Sequence, residues 1–420
     1  MKIGLETLRD RAIPLLMSIA LQSVIGTLLG QQYDMQIFYT SGYVVTKGIS
    51  PYGIFPTKAI FNNPSFFEEL PGIGYPPPWA LYLGLVYSAV YVPTGNLFAY
   101  NIAIKFPSII SNIALAFIVE KIATQEGTKK EDSKKIFYFL LFNPLMIYIS
   151  AVWGQFDSLV ILTSILSIND LSHGRIKRSG LFFALSGSLK VIPLVLAPLF
   201  LLFVKRNYDL MRILEFALTS IAAFVVFSLL PFNIFGWNLW SVNRVVSDPG
   251  YQFDRAGGFT LFNILELALG TTNLPRGWEF LGYLWIPSLM LGYYQLSKTS
   301  LASRMDLIRW ASSSLFILTL TRTWVSEQNI LLLIPLVMLH SIVTLKKWRL
   351  IQLIWIITLV FTFINGSPFQ MFFLLSPEPY NFLRAFDQAY INVRFILRFL
   401  IVIPWNVLGW LYIRRTIHGQ

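Results

Sequence analysis

Apolar runs of membrane-crossing length alternate along this chain with short basic turns, and that alternation leaves few folds open. The turns are 129–135 (KKEDSKK), 173–178 (HGRIKR), 205–212 (KRNYDLMR), 298–309 (KTSLASRMDLIR), 346–349 (KKWR) and 414–415 (RR). Lysine and arginine in short loops mark the cytoplasmic side of a membrane protein. With all six turns on one side, the segments between them must form hairpins, and at about 1.5 Å rise per residue most are long enough to do so.

Composition agrees with this. Charged residues are 13% of the chain and hydrophobic residues 55%, with a mean hydropathy of +0.60, whereas soluble domains are roughly a quarter charged. The expected fold is all-α and polytopic: one membrane-embedded domain over 1–420, about 12 transmembrane helices, both termini inside, and two long extracytoplasmic loops carrying short interfacial helices. The net charge of +12 is confined to the turns, so it is read as topogenic, and no nucleic-acid partner is expected. The chain has no cysteine, which excludes thiolate metal sites and cysteine nucleophiles. His173, His340 and His418 fall in or beside basic turns or at the C-terminus, away from the polar outer loops.

With Lys2, Arg9 and Arg11 inside, the first apolar run ends near Gly30 and opens an outer loop over 31–79. That run is too long for a signal-peptide core and lacks a small-residue cleavage site, so a retained span is expected. Residues 136–172 form a hairpin with Trp153 to Asp157 at its outer tip. Residues 179–204 suffice for two short half-spans, with Lys190 and Pro193 at the tip. Residues 213–231 cross outward into a second long loop, 232–277, whose GGFTLFNILELAL piece is expected to lie in the interface or re-enter. Residues 278–297 return, 310–345 form a hairpin tipped by Arg322 to Gln328, and 350–413 form the last one. Between Pro76 and Glu120, two apolar stretches, 77–92 and 98–119, conflict with an odd number of crossings. Either one of them is partial or the 121–135 loop lies outside.

Asp34, Asp157, Lys190, Arg322 and Glu327 all fall within a few residues of an outer helix end. Ionisable groups at that depth line watery cavities and are functional candidates by default. Asp34 has two readings, a cap for loop amides or a general base taking a hydroxyl proton. Trp153, Gln155 and Asp157, after Asn143-Pro144, form either a plain turn with an interfacial tryptophan or a sugar-binding turn, with Trp153 stacking on the ring. Lys190 either snorkels or contacts a phosphate. Arg322 either pairs with Glu327 or grips a phosphate bidentately, with Glu327 and Gln328 as neighbouring substrate-binding candidates. Arg244, Asp248, Asp254, Arg255, Glu378, Arg384 and Asp387 read as ordinary loop charges, and Asn365-Gly366-Ser367 is a formal glycosylation sequon. No Walker A, GxGxxG, GxSxG or HExxH pattern occurs, so nucleotide-sugar use has no support.

In their order and sidedness these features resemble the GT-C superfamily of membrane glycosyltransferases, most closely the dolichyl-phosphate-mannose-dependent branch. The motifs are Asp34 just after the first span, then Tyr39, Gly48 and Pro51-Tyr52, the Pro76–Pro78 re-entry, Asn143-Pro144 leading to Gly154-Gln155-x-Asp157, and Lys190-x-x-Pro193. The resemblance covers residues 12–206; the helices of 207–420 match in layout alone. It implies a multi-pass protein of the cell membrane or endoplasmic reticulum that takes a hexose, with mannose expected, from a polyprenyl- or dolichyl-phosphate donor. The acceptor is a lipid or lipid-linked glycan on the extracytoplasmic face. Asp34 is the implied base of an inverting displacement, Tyr39, Trp153, Gln155, Asp157, Lys190, Arg322, Glu327 and Gln328 the implied substrate contacts, and membrane lipids the surroundings. One acidic residue opens the first loop where the family carries two, which argues against a metal-assisted mechanism, so no cofactor is required, a divalent cation being an open alternative without sequence support. The competing class is a transporter or flippase of lipid-linked solutes. It should show related halves, and no internal repeat is visible.

Overall fold

The computed structural model describes residues 5–242, 255–365, 368–375, 385 and 388–417. Lys2, Arg244, Asp248, Asp254, Gly366, Ser367, Glu378, Arg384, Asp387 and His418 lie outside them. The principal helices are α1 (Leu5–Leu28), α2 (Gln32–Thr46), α3 (Pro77–Val86), α4 (Leu97–Gln125), α5 (Lys130–Phe142), α6 (Asp157–Ser172) and α7 (Ile176–Leu189). They continue with α8 (Ala197–Asn207), α9 (Leu210–Phe224), α10 (Asn263–Leu269), α11 (Trp285–Ser297), α12 (Arg304–Thr321), α13 (Trp348–Asn365) and α14 (Ile391–Ile417). Among the described residues, extended structure comprises two pairs of two-residue strands and an isolated antiparallel bridge between Arg255 and Asn273. Ile54–Phe55 pairs antiparallel with Leu70–Pro71, and Gly257–Gly258 pairs parallel with Trp324–Val325. The class is all-α, as the hydropathy pattern requires.

Seven described helical stretches are long and apolar enough to cross a membrane. That is fewer than the expected count of about 12, because α6, α7, α8 and α11 are shorter than 18 residues and α12 carries Arg304, Asp306 and Arg309. The seven differ in how they are solvated. Leu210–Ile234 and Arg11–Leu28 are 11% and 22% buried, with side chains such as Met17 and Leu218 facing outward, whereas Lys130–Trp153 and Glu327–Thr344 are each 78% buried. Outward apolar surface of that extent is stable against lipid and not against water. The two central spans bear Trp153 and Glu327 at their ends, so the core of the bundle leads directly to the predicted site.

Salt bridges gather the basic turns at one end of the bundle. Arg11 pairs with Glu120, Arg304 with Glu126, Arg175 and Arg178 with Asp170, and Lys177 with Glu215. Asp34, Trp153, Gln155 and Lys190 meet at the other end.

The conflict between Pro76 and Glu120 resolves in favour of a partial stretch. Helix α3 continues through a π turn at Tyr87–Tyr91 and through Val92–Thr94 to the left-handed Gly95. It begins beside Tyr75, whose hydroxyl donates to Gln155, and it ends at the turn into α4. The first turns of α4 hold the C-terminal end of α1 through Asn101 and Lys105. Both ends of 77–94 therefore lie at the Asp34 end, and the crossing in this region is α4. The stretch packs along α2, where Gly42 allows the closest approach: a Cβ there would sit 2.0 Å from the Tyr100 hydroxyl and 2.7 Å from the Leu83 carbonyl oxygen.

Candidate active site

Asp34 lies in the first turn of α2, one turn beyond the end of the first span. The Gln31 side chain caps this helix by accepting from the Asp34 amide at 2.6 Å, and the Gln31 amide donates to the Trp153 carbonyl at 3.1 Å. One glutamine thus joins the Asp34 turn to the Trp153 turn.

The second turn is built by its own sequence. Asn143 accepts from the amides of Leu145 and Met146, both at 3.1 Å, and Pro144 occupies the first helical position, where its missing N–H costs nothing. The restarted helix widens into a π turn over Tyr148–Trp153, which re-aims Trp153, and closes on Gly154 at φ +101°. A Cβ at Gly154 would lie 2.2 Å from Met35 Sδ and 3.0 Å from Lys105 Cε. The conformation and the space both demand glycine. Gly154→Ala is therefore expected to lose about 1–3 kcal/mol from backbone strain alone, seen as a lower unfolding midpoint. Turnover should fall further than stability does, because the strained bond follows Trp153.

The two turns meet on one carboxylate oxygen. Asp34 Oδ2 accepts from Trp153 Nε1 and from Gln155 Nε2, each at 2.7 Å, while Oδ1 makes no hydrogen bond to any described residue. Gln155 Oε1 accepts in turn from the Tyr75 hydroxyl at 3.2 Å. Burial pushes the Asp34 carboxyl above the usual carboxylate range. The hydrogen bonds from Trp153 and Gln155, and the charge of Lys190, pull it part of the way back. Trp153 and Gln155 thus orient the carboxylate through one oxygen, and no cation pairs with it directly among the described residues.

Asp157 and Lys190, read separately in the sequence, form one buried ion pair. Lys190 Nζ donates to both Asp157 oxygens at 2.8 Å and sits 5.0 Å and 5.1 Å from the Tyr75 and Phe156 ring centres. Two of its three N–H donors are so engaged. Arg322 does not pair with Glu327 in the way considered above. It borders a crevice with Ile192 and Asn329, while both Glu327 oxygens accept from Asn365 Nδ2 at 2.9 and 3.1 Å. Glu327 is buried, yet it lies within electrostatic reach of Asp34 and Arg398. Gln328 Oε1 and the Tyr148 hydroxyl are buried with no hydrogen-bond partner among the described residues. Tyr39 is fully buried, its hydroxyl donating to Asn101 Oδ1 at 2.9 Å and its ring stacked on Phe66, so its place is inside the wall of the site. Tyr52 likewise packs inward, stacked on Phe232, with its hydroxyl donating to the Tyr75 carbonyl.

Three groups of residues were missed by reading the sequence. Lys105, buried within α4, donates from Nζ to the carbonyls of Gly26, Leu29 and Val152, tying the end of α1 to the Trp153 turn. Asn101, one turn earlier, donates to the carbonyls of Gly26, Thr27 and Leu29. The last carbonyls of a helix lack intrahelical partners, and these two side chains supply them. Asn365 and the buried pair Arg398–Glu266 complete the surroundings of Glu327. The available signal was a lone lysine inside an apolar run, an expensive placement.

Trp153, Gln155, Asp157 and Lys190 fall within the segment 74–252 that matches the model of glycosyltransferase family 87, whereas Asp34 and Glu327 lie to either side of it. No curated protein matches the chain. The match spans 179 of the 420 residues and makes this segment similar to glycosyltransferase family 87, a membrane enzyme family of the GT-C type that uses polyprenyl-phosphate-linked sugars, which favours an enzyme over a transporter.

Proposed function

We propose that the protein transfers mannose from a dolichyl- or polyprenyl-phosphate carrier to a lipid or lipid-linked glycan acceptor on the extracytoplasmic face, with inversion at the anomeric carbon. The observation that carries this reading is Asp34, with Oδ2 fixed by Trp153 and Gln155 and Oδ1 without a hydrogen bond to any described residue. Oδ1 takes the acceptor hydroxyl proton as the hydroxyl oxygen attacks the anomeric carbon and the bond from that carbon to the lipid-phosphate oxygen breaks. Negative charge grows on the leaving phosphate, where fixed cations stabilise it without reorganisation. Lys190, with one N–H uncommitted, and Arg322 are assigned this role. Gln328, Glu327 and the Tyr148 hydroxyl are assigned to sugar hydroxyls, which would satisfy the two groups left without partners. No cofactor is required in this scheme, so turnover in excess chelator is expected to equal turnover without it.

Two measurements test the reading. The anomeric configuration of the product should be opposite to that of the donor, and retention would rule out direct displacement. The pH dependence of kcat/KM should show an acid limb, because protonated Asp34 cannot accept a proton. Burial places that limb above the ordinary carboxylate range. Gln155→Ala removes a hydrogen bond that favours the ionised form, so its limb should move to higher pH. A limb that stays fixed in this variant would dissociate it from Asp34.

A further inference from the structure

At the end of the bundle remote from Asp34, a cavity of about 590 Å³ opens between the start of α13 and the end of α14. Lys346, Lys347, Arg349 and Arg415 line it, and no carboxylate does. Positive charge at this end serves topology, but that alone does not gather four cations around one concavity. Some cations at the same end are paired, Arg11 with Glu120 and Arg304 with Glu126. The four cavity residues enter no ion pair among the described residues and are exposed. They come from two elements nearly seventy residues apart in sequence, so the tertiary fold assembles the cluster.

The site has a built frame. Lys346 adopts a left-handed backbone at φ +52°, unusual for a residue with a Cβ, and the adjoining backbone is pinned where the Lys347 amide donates to the Ser341 carbonyl at 2.9 Å. Beneath it, the Tyr412 hydroxyl is held between His340 Nδ1 at 2.7 Å and the Ser312 hydroxyl at 2.6 Å. The cavity's other walls are Trp348, Leu350, Leu353, Leu408 and Leu411, of which Leu353 and Leu411 also face outward on membrane-length helices.

We propose that this cavity binds an anionic membrane phospholipid, its phosphodiester held by Lys346, Lys347, Arg349 and Arg415 and its acyl chains laid along Leu353, Leu408 and Leu411. A cationic mouth continuous with a lipid-facing apolar wall matches a molecule that is anionic at one end and hydrocarbon at the other. A free phosphate would use the cations and leave the leucine wall without purpose.

The test uses full-length protein, delipidated in detergent and titrated with phosphatidylglycerol or with phosphatidylcholine of the same chains, bound lipid being counted by native mass spectrometry. Phosphatidylglycerol is expected to bind the more tightly. Each cation near a membrane surface is worth about fivefold in affinity for anionic lipid, so Lys347→Gln with Arg415→Gln should weaken phosphatidylglycerol roughly twentyfold and leave phosphatidylcholine unchanged. Lys346→Gln with Arg349→Gln is the second pair, to be used if the first does not fold. Equal binding of the two lipids by the unsubstituted protein, or undiminished phosphatidylglycerol binding by a folded variant, would overturn the proposal. Displacement of the lipid by millimolar inorganic phosphate would also overturn it, by making this a site for the free anion.

Discussion

Asp34→Asn is expected to bind the lipid-linked donor with the affinity of the parent protein and to transfer sugar about two to four orders of magnitude more slowly, the usual loss when a general base is removed. The substitution is nearly isosteric, and its remaining carbonyl oxygen can still accept from Trp153 Nε1 and Gln155 Nε2, which at present share Oδ2. Little of the site should therefore move. Asparagine cannot hold the acceptor's proton, so the loss belongs in kcat, with the KM for donor nearly constant. A variant that fails to bind donor would instead assign Asp34 a binding role. A variant with full turnover would remove it from the chemistry.

The second large effect is expected at Asp157 and Lys190. Both are buried and paired through two hydrogen bonds of 2.8 Å, so removing one partner strands the other's charge. Asp157→Asn or Lys190→Met alone is expected to cost about 3–5 kcal/mol of stability, whereas the double substitution should cost much less. Unfolding midpoints of the four proteins in one detergent give the coupling directly. Transfer activity should separate from stability here: the double variant refolds the site without its cation and remains slow if Lys190 acts on the leaving phosphate. A double variant with parental kcat would limit the pair to holding α6 against the tip that follows α7.

The grouping of the turns was legible because charge and hydropathy impose it, whereas the number of crossings was not, seven described stretches qualifying against about 12 expected. The basic turns and the hairpin tips at Trp153, Lys190 and Arg322 stand where the sequence places them, and the 77–92 stretch is the partial one. Contacts between tips were not legible. Nothing in the sequence links Asp157 to Lys190, 33 residues away, and each on its own suggests an independent substrate contact. Lys105 gives no such signal because its partners are backbone carbonyls of residues 26, 29 and 152, whose positions depend on how α1 ends and how the π turn at 148–153 is wound. Tyr39 belongs to a recognisable motif, but a motif does not distinguish a residue that meets substrate from one packed behind the site.

The central claim is that one site at the Asp34 end takes a sugar from a lipid phosphate. Its most direct test is the stoichiometry of a single reaction: purified full-length protein, dolichyl-phosphate-mannose and a membrane lipid extract, with released dolichyl phosphate and mannosylated lipid counted together over time. The two are expected to rise in equal amounts in the parent protein, and both to rise about two to four orders of magnitude more slowly in Asp34→Asn. Mannosylated lipid formed without release of dolichyl phosphate, or equal progress in the variant, would contradict it.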